Sequence, residues 1–326
     1  GDRWSLDVQN RRKLPKDLQP PDLPDARPDA RTRSVIRLVE QEFGDHFGAA
    51  ADFRWPTTRN EARSWLQDFC ERRLARFGDY QDAITRRHDT LFHSALSPLL
   101  NCGLRHPREV LSTVLEHADR HEIPLNSLEG FVRQIIGWRE FVRGVDDVRG
   151  EEQAAANHWG HHRSLTRHWY DGTTGIPPLD DAIETARDLG WTHHILRLMV
   201  IANLMNLCEI EPRQVHDWFM ETHIDSTDWV MGPNVYGMGL ASDGCMMVTT
   251  PYICGSTSLL KMSDYRRGDW CDVVDGLYWR FIERHRSFFE ANPRLSMTVR
   301  NLDRMAADRR SRIRDAARDF LDEKTG

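Results

Sequence analysis

Apolar residues recur at three- and four-residue spacing through most of the chain, the period of a helix and not of a strand. Val35, Leu38 and Val39 suit a short helix before Gly44. Residues 61–76 place Trp65, Leu66, Phe69 and Leu74 on one face. Pro107 fits the first turn of a helix running to about His121, because proline has no N–H to lose there. Phe131, Ile135, Trp138 and Val142 form one apolar stripe in a helix that Ser127 can cap and Gly144 can end. Residues 191–199 read as another helix. Residues 297–321 read as a charged amphipathic helix with Leu302, Met305, Ile313, Phe320 and Leu321 inward. Alternating strand patterns are scarce and hairpin signals absent, so the expected fold class is all-α.

The first thirty residues break the pattern. Pro15, Pro20, Pro21, Pro24 and Pro28 forbid a continuous helix there. Trp4 and Leu6 are apolar enough to dock, so residues 1–30 are expected to be an extended connector lying on one helical domain, residues 31–326. The 326-residue length allows one large helical domain or two small ones. At 40% hydrophobic and 29% charged the composition suits a soluble globular protein, and no run of about 18 apolar residues exists to span a membrane. Six scattered cysteines without a CxxC pair fit a reducing cytoplasm better than a disulfide framework. The first residue is Gly1 and not Met, which suggests a processed form or one portion of a longer polypeptide. A net charge of −6 means that any DNA contact must rely on a local patch.

Three stretches carry candidate chemistry. Arg133, Gln134, Arg139 and Arg143 interrupt a helix otherwise too apolar for the surface. They point to carboxylate or phosphate partners, or to a core helix with ion-paired rims. His93, Ser94 and Ser97 stand at the start of a helix bearing Leu99 and Leu100. A helix start offers free N–H groups to a diphosphate, although Ser-x-x-Ser also serves as a simple cap. His194 and Arg197 lie three apart and share a face. His193 and His194 are adjacent, and helix neighbours diverge by about 100°, so the pair is not expected to chelate a metal. Tyr80 follows a Gly78-Asp79 turn and packs either on a ligand or on the core.

Trp138-Arg139-Glu140-Phe141 resembles a signature of the photolyase/cryptochrome superfamily. The stretch from His93 to Leu100 resembles the superfamily loop that holds the phosphates of FAD. Residues 191–199, residues 225–238 and Met262-Ser263-Asp264-Tyr265 are similar to the prokaryotic branch of iron–sulfur bacterial cryptochromes and (6–4) photolyases. Trp4, Asp7, Asn10, Arg11, Leu14 and Pro15 are similar to the segment that follows that family's N-terminal α/β antenna domain. The resemblance therefore covers the C-terminal, FAD-binding portion, with the antenna domain absent from this chain.

The resemblance implies an FAD site made by Tyr80, His93, Ser94, Ala95, Leu96, Ser97, Gln134, Trp138, Arg139, Arg197, Asp225 and Asn234. It implies that His193 and His194 face a lesion pocket, where a histidine can donate a proton. It also implies that Trp169 and Trp218 pass electrons toward the excited flavin, whereas plain core packing is the other reading of those two rings. Blue-light-dependent repair of damaged DNA by a lyase, or a photoreceptor derived from it, is the function so implied. The alternative is a non-catalytic interaction subunit that pairs with a separate antenna-domain polypeptide or a regulatory partner. Departures from the family stand beside the match. Phe219 replaces a tyrosine, Asp146-Asp147 replace aromatics, and of four cluster-binding cysteines only Cys271 survives nearby. No iron–sulfur cluster is expected. Arg309, Arg310 and Arg312 in the tail suit either DNA or a solvated face.

Overall fold

The computed structural model describes residues 6–326, so the docking expected of Trp4 lies outside the described residues. Helices follow one another from Ala30 to Lys324, and among the described residues no strand forms beyond two isolated bridges, Arg163 to Ile210 and Leu165 to Thr325. Apart from one turn of 3-10 helix at Asp7–Asn10, residues 6–29 carry no regular element. No described helix is long and apolar enough to cross a membrane.

Local chemistry sets several boundaries. Thr58 and Glu61 form a reciprocal capping box that starts the helix Arg59–Arg72, and His106 with Glu109 starts Pro107–Ala118 in the same way. The stretch expected as one helix over residues 61–76 breaks at Arg73, whose φ of −124° leaves the helical region before Leu74–Phe77 resumes. The tail likewise divides into Ser296–Asp303 and Ala307–Lys324.

The central helix differs from expectation at both ends. It begins at Leu125 behind Pro124, so Ser127 lies in its first turn and is not its cap. The buried Ser127 hydroxyl donates to the Ala75 carbonyl (3.0 Å) and accepts from the Gly78 N–H (2.9 Å). Its polarity thus serves a tertiary contact. Gly78 permits that contact, because a Cβ there would stand 2.6 Å from the Ser127 nitrogen. Gly144 does not end the helix, which runs on through Arg139–Ala155 and packs on Asp228–Gly232. Packing there outweighs glycine's roughly 1 kcal/mol helix penalty. Asp146 and Asp147 therefore stand mid-helix and not at a turn.

Two apolar cores flank the interior. The larger gathers Trp159, Trp169, Trp218, Phe219, Phe281 and Phe289. The smaller gathers Trp55, Trp65, Phe69, Phe77, Phe131 and Trp191. Trp270–Arg284 lies directly on Ala307–Lys324, and Gly276 makes this possible: a Cβ would come 1.9 Å from the Ile313 carbonyl oxygen. Across the same contact Arg309, Arg310 and Arg312 pair with Asp275, Glu283 and Asp272, so these tail cations are matched by carboxylates. The helix Ala30–Phe43 buries none of its residues; Val35, Leu38, Val39 and Phe43 are exposed, and Val35, Val39 and Phe43 line a surface groove.

In three places helical winding widens to the i→i+5 pattern: Arg133–Trp138, Leu196–Ala202 and Pro233–Gly239. All three border the cavity between the cores.

Candidate functional site

That cavity encloses about 320 Å³ and takes lining residues from both cores, including Phe77, Phe131 and Trp191 on one side and Phe219, Met231 and Val235 on the other. A groove of about 730 Å³ adjoins it and shares Gln134, Arg139, His194 and Asn234 with it. Of the residues singled out in the sequence, His93, Ser94, Ala95, Leu96, Ser97, Gln134, Arg139, His193, His194, Arg197, Asp225 and Asn234 all line the cavity.

At its floor the Arg197 guanidinium donates to both carboxylate oxygens of Asp225, at 3.1 and 2.9 Å, and its Nε donates to the Thr192 carbonyl at 2.7 Å. Burial pushes the Asp225 carboxyl up, but the facing Arg197 charge outweighs it and holds the group below the usual carboxylate range. Asn101 locks the pair to the central helix. It donates to the Asp225 carbonyl (2.6 Å) and accepts from Arg139 (2.8 Å), whose guanidinium lies 4.7 Å from the centre of the Trp229 ring. Asn101 was not singled out in the sequence, although it sits one helical turn after Ser97 on the same face of Ser97–Asn101.

The loop before that short helix is tied down from outside. Trp65 donates to the Ser94 carbonyl and Trp191 to the Ser97 hydroxyl, both at 3.0 Å. Leu91 and Ala95 both adopt φ of +50°, a left-handed conformation that L-residues hold only where the surroundings impose it. His93 lies between them, stacked on His193 with ring centres 4.7 Å apart and planes 9° apart. The Nε2 of His93 and the Nδ1 of His193 are buried without a partner. Burial holds both rings well below the usual histidine range. His194 is half-exposed, with Nε2 3.4 Å from Asp82. The expected divergence of His193 and His194 as helix neighbours does not apply. Helical winding begins at His194, and His193 stands just before it, outside the helix.

Two expected cofactor residues stand apart. The Tyr80 ring packs on Phe92 at 5.4 Å, in a small cluster with Leu14, and does not reach the cavity. Trp138 lines the adjoining groove instead, together with Gln134, which faces both spaces. Trp169 and Trp218 are fully buried behind the wall. Trp218 donates to the Trp169 carbonyl (3.0 Å), and its ring meets that of Phe219 edge-on at 5.1 Å. Phe219 forms the wall itself. His223 sits beside both rings and bridges the hydroxyls of Thr192 and Thr222 at 3.0 and 2.9 Å. Thr222 donates onward to the Trp218 carbonyl at 2.7 Å.

All six cysteines are free thiols, and Cys271 is buried in the larger core with Ile176. Among the described residues, the one group of three or more side chains able to share a metal is His93, His193 and His194.

Residues 131–263 match the FAD binding domain of DNA photolyase, and residues 1–55 match the deoxyribodipyrimidine photo-lyase-related protein family. The chain belongs to the photolyase/cryptochrome superfamily and corresponds to its C-terminal, FAD-binding part. A (6-4) photolyase of Agrobacterium fabrum is 36% identical over 331 residues, covering 98% of this chain and 65% of that relative. Two solved structures share the fold: a bacterial class III photolyase from Agrobacterium tumefaciens and a Synechocystis cryptochrome, each with TM-score 0.51. Their identities are 21% and 14%; they cover 86% and 83% of this chain, and the chain covers 58% and 56% of theirs. The chain therefore spans less than two thirds of each of these relatives.

Proposed function

We infer that the cavity and its adjoining groove hold FAD and that the protein uses it in blue-light-dependent DNA photorepair, or in light sensing derived from it. The observation behind this reading is the convergence of the 93–97 loop, the Arg133–Trp138 turn and the Arg197–Asp225 pair on one hollow. The residues fit such a ligand. A buried charge pair and two unpartnered ring nitrogens face a space within the range of cofactor sites, about 300–1,000 Å³. The 93–97 loop would hold the phosphates, Gln134, Arg139 and Asn234 the middle of the cofactor, and Asp225 with Arg197 its ring edge. When bound, FAD supplies light absorption and one-electron chemistry. Residues 31–326 form the FAD domain in this reading, residues 1–30 form its connector, and the protein works in the cytoplasm. An antenna domain, on a separate polypeptide or elsewhere in the same one, would complete it.

Flavin is expected to be released on denaturation at one per chain, after reconstitution if necessary. The same preparation is expected to contain no stoichiometric iron or sulfide, because Cys271 alone stands near the family's ligand positions and one thiol cannot hold a cubane. A colourless chain that takes up no FAD from excess would leave the non-catalytic interaction subunit as the better reading.

In the repair reading, His193 and His194 hold or donate a proton at the lesion. Trp218 and Trp169 return electrons toward the cavity, with Phe219 as intervening packing. Trp218→Phe is expected to slow light-driven flavin reduction at least tenfold, whereas Phe219→Tyr keeps or raises the rate. A Trp218→Phe protein that photoreduces at the parent rate would mean that electrons take another route.

The second partner in this reading is damaged DNA, whose flipped base would enter the groove past Trp138, Trp229 and Arg139. Asp147 is exposed on the flanking helix beside Asp146, whose carboxyl burial and then Asp147 push upward. The pair repels phosphate. Asp146→Asn with Asp147→Asn is expected to tighten binding of lesion-bearing duplex, most at low salt. Titrations of damaged and undamaged duplexes at two salt concentrations check this; tight binding indifferent to the double substitution sinks the charge argument.

A further inference from the structure

We propose that His93, His193 and His194 form a three-histidine site for a divalent transition metal, Zn²⁺ being the natural occupant, with a fourth coordination position open to the cavity. One candidate nitrogen from each ring lies within 4.8 Å of the others, although the three residues come from two separate stretches of chain. The 93–97 loop supplies one ring, and the approach to Leu196–Ala202 supplies two.

The second observation is that one ring nitrogen on each of His93 and His193 has no hydrogen-bond partner within the protein. The Nε2 of His93 and the Nδ1 of His193 are buried, lie in the wall of the cavity and have no hydrogen-bond partner. A buried polar nitrogen left unmatched costs about 1–3 kcal/mol, and here two stand against each other. Neither tautomer cures this, because parallel stacked rings cannot donate N–H to one another's lone pairs in plane. A shared cation satisfies both.

The surroundings have the form of an outer coordination shell. Metal-bound histidines characteristically donate their second ring N–H to a carbonyl or carboxylate, which fixes the free lone pair. The carboxylate of Asp82 lies 3.4 Å from the His194 Nε2. Asp82 thus orients one of the three ligands. Closing on Zn²⁺ at about 2.0–2.1 Å draws each nitrogen inward by about 1 Å and turns one stacked ring about χ2. Three histidines and an open position match the donor set of catalytic zinc and not the closed set of structural zinc. The open position would take a water, or an oxygen or nitrogen of whatever the cavity binds.

The test uses tag-free protein carrying His121→Gln, because half-buried His117 and exposed His121 stack at 4.0 Å and offer a competing chelate. Chelator-treated protein is titrated with Zn²⁺ against a chromophoric competitor, with and without FAD, and Co²⁺ is substituted to read ligand-field bands to the red of flavin. One Zn²⁺ per chain and tetrahedral-type Co²⁺ bands are expected. His93→Phe and His193→Phe should each weaken Zn²⁺ at least tenfold, and Asp82→Asn should weaken it by about 10–100-fold with the three rings intact. Asp82→Asn keeps the test valid where a core variant fails to fold. Flavin content is measured on the same samples, so failure of the FAD reading and failure of the metal reading are separate results. Absence of stoichiometric Zn²⁺ binding, binding unchanged by His93→Phe and Asp82→Asn, or binding abolished by FAD would overturn the proposal.

Discussion

Lowering the pH from 7.5 to 5 is expected to remove several kcal/mol of this protein's stability, well before its carboxylates begin to titrate. Burial holds His93, His193 and His223 well below the usual histidine range, and pushes His161 and His285 down to about 4. In the unfolded chain these rings titrate near 6.5. Between that value and the depressed native ones, the unfolded chain binds protons that the native state refuses. Stability therefore rises with pH across this window and falls as pH drops through it. Each ring contributes a slope approaching 1.4 kcal/mol per pH unit, and five act together. Asp225 and Glu209 are also held below their usual range, each against burial by facing arginines, so they extend the same trend to lower pH. Urea unfolding at pH 7.5, 6.5 and 5.5 measures the effect. A midpoint that stays constant down to pH 5 would show that these rings are solvated or paired in the native state.

Arg197→Met is expected to cost about 3–5 kcal/mol of stability and to weaken FAD retention roughly tenfold or more. The substitution strands the Asp225 carboxylate, which is 3% exposed, without its bidentate partner. It also frees the Thr192 carbonyl, which the Arg197 Nε occupies. The stranded acid would regain a proton, since burial alone raises it. Asp225→Asn in the same chain removes the uncompensated charge, so the double variant should be more stable than the sum of the two single losses implies. Thermal unfolding and flavin stoichiometry on the three variants measure the coupling. Strict additivity would mean that the two side chains do not act as a pair.

Most of the site was legible in the sequence, because it is built from residues whose types are costly to bury. Gln134 and Arg139 stood out against an apolar helix face, Arg197 by sharing a helix face with His194, Asp225 through the family resemblance, and the 93–97 loop as a polar approach to an apolar run. The helical fold was legible in the same way, since its period dominates from Ala30 onward. What was missed depends on tertiary approach. Nothing local marks Asn101 as the link between Asp225 and Arg139. Nothing in an isolated His93 tells that it will stack on His193, a hundred positions away. Tyr80 looked available for a ligand because it follows a turn, and only the packing of Phe92 and Leu14 settles where its ring lies. The apolar stripe of Ala30–Phe43 predicted a helix correctly but not its exposure.

The three wide turns at Arg133–Trp138, Leu196–Ala202 and Pro233–Gly239 bear on how this chain tolerates change in length. A π turn accommodates one residue more than the α path it interrupts. Deleting a residue from an ordinary helix throws everything beyond it about 100° out of phase. Deleting one inside these turns has a second outcome, in which the winding relaxes to α and the helix on either side survives intact. Such a deletion would spare the fold and rotate Gln134, Arg197 or Asn234 out of the cavity wall. Length variants at these sites can therefore separate folding from ligand binding in a way that side-chain replacements in a packed core cannot.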